Sequence, residues 1–164
     1  MNKKIIALIV IAIIATSLYF WWFSDSKVIK RNTNSLIECF EKDQDNGRFG
    51  GVISTSTLKN LLDDKVHFKF EQTDIPYASL VNNINKDFIV QANSHLVQSP
   101  GIVIITNKQI VISDLSSDKA NVNLSFHIKS EKLRTNFDHN FNVKLTYTKK
   151  ESDWKITEAI ISKQ

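Results

Sequence analysis

"TYTKKESDWKITEAIIS", residues 146–162, is the stretch whose reading decides how this chain folds. Tyr147 continues a two-residue alternation that runs back through Leu145, Val143 and Phe141. Residues 151–153 are polar and mark a tight turn, after which Trp154 and Ile156 form a second inward pair. Side chains two apart share one face of a strand, so both runs predict half-buried strands joined as an antiparallel hairpin. The residues between them are mostly Asn, Lys and Thr, which predicts one wet face and one packed face.

The same reading extends backward. In "ANVNLSFHIKS", residues 120–130, Val122, Leu124, Phe126 and Ile128 point one way. "IVIITNKQIVIS", residues 102–113, has a polar interruption at Asn107 and Lys108, which allows either a hairpin or one bent strand. "VHFKFE", residues 66–71, alternates strictly, with Val66, Phe68 and Phe70 on one face. Three stretches have helical spacing instead. Residues 32–43 carry Leu36, Ile37 and Phe40; residues 54–64 carry Leu58, Leu61 and Leu62 behind a hydroxyl cap; residues 79–96 carry Val81, Ile84 and Phe88, extended by Ala92 and His95, with Ser79 as cap. Residues 43–51 hold three of the four glycines and read as a loop. Helices concentrated in the first half must cover a sheet built mostly from the second half, which predicts a two-layer α+β domain.

The order of elements, together with the ending "TYTKKESDWKITEAIIS", resembles the NTF2-like (cystatin-like, SnoaL-type) cone over about residues 32–162. In that family a strand, a tight turn and a strand opening with Trp-x-Ile finish a curved sheet. Asp153 stands here where the common form has Gly. The resemblance implies three helices packed on a curved antiparallel sheet whose concave side can enclose a pocket.

Residues 5–23 form a run of 19 without charge, broken only by Thr16 and Ser17. As a helix it would be about 28 Å long, close to the ~30 Å hydrocarbon core of a bilayer. The expectation is a transmembrane signal anchor: a short tail at 1–4, the span at 5–23, a juxtamembrane connector at 24–31 and the folded domain at 32–164. Tyr19, Trp21 and Trp22 would then sit at the membrane interface. Lys3 and Lys4 precede the run and Lys27, Lys30 and Arg31 follow it, so charge asymmetry does not settle orientation. The preferred topology has a cytoplasmic N-terminus and the domain on the periplasmic or extracellular side; a reversed anchor is the alternative. This layout is similar to that of VirB8-like proteins.

Composition narrows the function classes. Net charge is +4, with basic residues scattered among acids, so no stripe suits a nucleic-acid backbone. The lone Cys39 excludes an internal disulfide and a CxxC pair, and it reads as buried packing beside Leu36, Ile37 and Phe40. His67, His95, His127 and His139 show no metal-ligand spacing, and no phosphate-binding or nucleophile-elbow motif occurs, so no metal, cofactor or catalytic residue is assigned. Acid–base candidates, if the family's enzymes are the guide, are Asp74, His95, Asp138 and His139.

Phe49, Phe68, Phe70, Phe88, Phe126, Phe141, Tyr147 and Trp154 can either line a ligand cavity or fill the cone. The leading expectation is a non-catalytic interaction or accessory subunit of a bacterial cell-envelope complex, with the lipid bilayer and other envelope proteins, including a second copy, as partners. Its docking face would be the polar row Asn121, Asn123, Ser125 and His127 beside Asn142, Lys144, Thr146 and Thr148. The alternatives are a small-molecule or lipid binding domain using the cone pocket, and an acid–base enzyme.

Overall fold

The computed structural model describes residues 3–22, 24–42, 48–71, 84–131 and 137–163. The elements are α1 (Lys3–Trp22), α2 (Asp25–Phe40), α3 (Arg48–Leu61), β1 (Leu62–Phe70), α4 (Lys86–Gln98), β2 (Ile102–Leu115), β3 (Lys119–Glu131), β4 (Asp138–Lys150) and β5 (Asp153–Lys163). The five strands form one sheet in the order β1-β5-β4-β3-β2.

The hairpins expected in the second half are present. β3 pairs antiparallel with β4, setting Phe126 opposite Phe141 and Leu124 opposite Val143, and β4 pairs antiparallel with β5. Val122, Leu124, Val143, Leu145, Tyr147, Trp154 and Ile156 are all buried, as the alternation requires. The sheet is nevertheless mixed rather than antiparallel throughout, because β1 lies parallel to β5 at the edge. Parallel neighbours need a long crossover, and here everything between β1 and β5 supplies it. β2 is a single strand. Its polar interruption is absorbed by a bulge between Thr106 and Gln109, with Asn107 at φ 53°.

The helices depart from their predicted bounds in instructive ways. Residues 25–31, expected as a connector, are the first turns of α2. Ile29, Thr33 and Ile37 follow at four-residue intervals and are buried, a stripe concealed in the sequence by Lys27, Lys30 and Arg31 around it. Residues 48–51, expected as loop, open α3, and Leu62 belongs to β1. In α4 the cap is Asn85, whose side chain accepts from the Phe88 N–H at 2.9 Å; Ser79 lies outside the described residues. The buried face of α4 is Ile89, Asn93 and Leu96. Phe88 is 55% exposed, and Ala92 and His95 are exposed too, so the predicted stripe is rotated by one residue.

The membrane anchor is corrected. α1 forms, but among the described residues no helix is long and apolar enough to cross a membrane. The helix opens on Lys3 and Lys4 and runs to Trp22. With the span fall the bilayer as partner, the periplasmic or extracellular placement, the VirB8-like layout and the cell-envelope subunit reading. Tyr19, Trp21 and Trp22 lie in the last turn of α1, and the side chains of Trp21 and Trp22 lie outside the described residues. Tyr19 makes an edge-on contact with Phe20 at 6.0 Å.

The hairpin 150–153 closes through Glu151, which takes the left-handed φ of 58°. A Cβ there meets the following carbonyl at a cost of about 1 kcal/mol. Glu151→Gly is therefore expected to raise stability by up to about 1 kcal/mol, measured as the shift in urea midpoint at constant slope.

Candidate functional site: an apolar cavity in the cone

The concave side of the sheet is only partly filled. At its narrow end Tyr147, Ile156 and Val122 are fully buried under Ile29 and Leu58. Tyr147 and Thr33 meet there through their hydroxyls at 3.0 Å, and Thr33 Oγ1 donates to the Ile29 carbonyl at 2.9 Å. Thr33 has a single hydroxyl hydrogen, so the Tyr147 phenol is the donor of the pair. Burial pushes that phenol well above the ordinary tyrosine range. Trp154 seals the same end, its indole Nε1–H donating to Asp25 Oδ1 at 2.8 Å. This bond, and then the Lys149 ammonium at 2.9 and 3.1 Å, hold the Asp25 carboxyl below the usual range.

Toward the wide end a cavity of about 210 Å³ remains. The helices supply Leu36, Ile37 and Phe40 from α2, Leu58 from α3 and Ile89 from α4. The sheet supplies the inward residues of all five strands, among them Phe68, Ile105, Leu124, Val143 and Ala159, with Phe126, Ile128 and Ile161 half-buried. Among the described residues, no lining side chain is polar or titratable. Phe141 stacks on Phe126 with ring centroids 6.1 Å apart.

The aromatic set thus divides. Tyr147 and Trp154 fill the cone, Phe68 and Phe126 line the cavity, Phe141 stands beside it, and Phe88 is on the surface. The side chain of Phe49 lies outside the described residues. In the sequence the aliphatic lining from β2, β4 and β5 looks like any core stripe. Only curvature of the sheet turns part of that stripe into a cavity wall.

The sequence-level acid–base candidates do not converge on it. Asp74 lies outside the described residues. His95 is exposed on α4 rather than facing the sheet. Asp138 is exposed and accepts from, or pairs with, His127 Nε2 at 2.6 Å on the outer face, where His127 Nδ1 lies 3.3 Å from Thr106 Oγ1. His139 is exposed near the start of β4. Among the described residues no group of three His, Cys, Asp or Glu could hold a metal ion.

Cys39 is buried, as expected, against α3; its thiol donates to the Ser54 carbonyl at 3.3 Å, and burial pushes its pKa up. Ser54 Oγ donates to the Cys39 carbonyl at 2.8 Å and accepts from Asn93 Nδ2 at 3.2 Å. Lys42, also buried, donates to the carbonyls of Leu96 and Ser99 and so caps the end of α4.

The polar row lies on the outer, convex face. Asn123, Ser125, Asn142 and Lys144 line a shallow groove there with Gln109, Val111 and Glu71. Thr146 donates to Asn121 Oδ1 at 3.3 Å, Asn121 donates to Asp114 at 3.2 Å, and Thr148 meets Thr157 at 3.1 Å. The row is therefore brought together in space, away from the cavity.

No family model matches the chain, and no curated protein sequence matches it. Solved structures do. An NTF2-like protein from Cytophaga hutchinsonii superposes with a TM-score of 0.60 at 15% identity, covering 86% of this chain and 99% of that one. A protein of unknown function with a cystatin-like fold from Nostoc punctiforme gives 0.55 at 10% identity, covering 85% and 91%. A ketosteroid isomerase-like protein from Erwinia carotovora atroseptica gives 0.54 at 11% identity, covering 85% and 96%. The fold is the NTF2-like α+β cone, with helices packed on a mixed sheet.

Proposed function

We propose that this protein binds a small apolar molecule in the cone. The observation that carries the reading is the cavity of about 210 Å³ with a wholly apolar lining. An engineered cavity of about 150 Å³ lined by Leu, Ile and Phe stays dry and takes benzene. By proportion, about eight carbons fit here. Water gains little in such a space because it finds no hydrogen-bond partner. The same lining favours binding over chemistry, since a general acid or base must reach the reacting atom within hydrogen-bond distance.

Transfer of an eight-carbon chain is worth ~0.8 kcal/mol per methylene, and association offsets part of that. Octan-1-ol should therefore bind with a Kd on the order of 1 mM, or about −4 kcal/mol. Isothermal titration tests this, and the absence of saturable heat up to the solubility of octan-1-ol would remove the reading. Ala159, buried on β5, points into the cavity. Ala159→Phe should weaken octan-1-ol at least about tenfold, a loss of ~1.4 kcal/mol, while the melting temperature holds or rises because a void is filled.

A further inference from the structure

Among the described residues, the rim of the cavity carries a cationic side chain without a counter-charge. β5 runs Ala159, Ile161, Lys163 along its inner face; the first two line the cavity, and residues two apart share a face. Lys163 therefore stands at the rim, one step beyond Ile161. It is the direct cross-strand partner of Phe141, whose ring stacks on the lining residue Phe126 at 6.1 Å. On β4, His139 lies two residues before Phe141 on that same face, opposite Ile128.

Among the described residues, the acids near this rim belong to the other face. Glu158 pairs with Lys69 at 2.6 Å, Asp138 with His127 at 2.6 Å, and Glu71 lines the outer groove with Ser162. Among the described residues Lys163 has no ion-pair partner, although most lysines of the sheet do: Lys69, Lys108, Lys129, Lys149, Lys150 and Lys155 are each within 4.0 Å of a carboxylate.

We infer that the cavity takes an amphipathic anion, a monocarboxylate with an alkyl tail of about eight carbons, whose tail fills the apolar space and whose carboxylate meets Lys163 at the rim. This rests on the apolar-binding reading above and adds the charge of the ligand to it. The tail alone cannot bring a carboxylate inward, because the lining offers it no donor and burying an unpaired charge is costly. A flexible four-carbon stem lets Lys163 lie along Phe141 and keep its ammonium at the water boundary. Such a half-buried contact is charge-assisted and stronger than a neutral hydrogen bond.

The test is paired titration of octanoate and octan-1-ol at pH 7.5 and low salt, with wild type, Lys163→Gln and Lys163→Arg. Octanoate is expected to bind about 3–10-fold more tightly than octan-1-ol to wild type. The ratio should fall to about one in Lys163→Gln, remain in Lys163→Arg, and shrink as salt screens the exposed side of the contact. A wild-type ratio of one or below, with octan-1-ol still bound, overturns the anionic assignment and leaves the apolar cavity standing. A ratio that survives Lys163→Gln overturns it as well. Failure of both probes to bind overturns the cavity reading and this inference together.

Discussion

Trp154→Ala should remove a large part of the stability of this domain. The indole is 2% exposed, seals the narrow end of the cone, donates to Asp25 and lies 5.5 Å beneath the Lys149 ammonium. Truncating a buried tryptophan costs about 3–5 kcal/mol, a large part of the ~5–15 kcal/mol that holds a typical domain. Urea denaturation followed by circular dichroism reads the loss directly. Trp154→Phe separates packing from the hydrogen bond, because the ring volume is largely kept while the N–H is gone. It should cost about 1–2 kcal/mol.

Trp154→Phe should also raise the Asp25 pKa toward the ordinary value, because the indole bond is the main cause of its depression. With a depressed folded pKa, the stability Asp25 contributes is present above the unfolded carboxylate pKa of 3.8 and is lost as pH falls through the folded value. Carboxyl chemical shifts through an acid titration report it. A Trp154→Ala loss below about 1 kcal/mol would show that the aromatic plug is dispensable.

The second large effect lies at the pair of buried hydroxyls. Thr33→Val keeps the shape of the side chain but leaves the fully buried Tyr147 phenol without the acceptor it uses at 3.0 Å. An orphaned buried donor costs about 1–3 kcal/mol. Tyr147→Phe should cost less, about 0.5–1.5 kcal/mol, because Thr33 still donates to the Ile29 carbonyl at 2.9 Å. The double variant should lie near Tyr147→Phe rather than at the sum, and a strictly additive cycle would contradict the assigned donor.

The same phenol predicts alkaline behaviour. Its folded pKa is raised above the ordinary tyrosine value of 10.0 by burial. The stability it contributes is therefore complete below pH ~10 and is lost as pH rises toward the folded value, at ~1.4 kcal/mol per pH unit. Tyr147→Phe should abolish this component, measured as the difference in unfolding free energy between the two proteins from pH 9 to 11.

How much of this is legible without coordinates depends on which physical signal each part uses. The strands of the second half declare themselves because alternation has a period of two and their outward residues are polar. Val122 through Ile128, Phe141 through Tyr147, and the pair Trp154 and Ile156 all face inward as that pattern requires. The α+β order and the closing Trp-x-Ile strand led to the NTF2-like cone for the same reason.

Helix faces were less legible. In α4, Phe88 and Ala92 are more apolar than Asn93, yet Asn93 is buried and held by Ser54 while Phe88 faces outward. Hydropathy ranks the residues but does not register a polar partner arriving from α3. In α2, Ile29 is hidden by its basic neighbours until Leu58 and Tyr147 are seen around it. The N-terminal run shows the limit of composition, since a helix forms there but no described helix has the length and apolarity of a span.

By itself, then, the sequence determined the layers: which strands exist, which of their faces are dry, and that helices must cover them. Those are local properties, carried by side-chain period. Only the tertiary structure decided the parallel β1–β5 edge, the rotated face of α4, and the division of one apolar stripe into a filled end at Tyr147 and Trp154 and a hollow end at Phe126 and Ile161. These depend on sheet curvature and on contacts between residues far apart in the chain, and a periodic pattern carries neither.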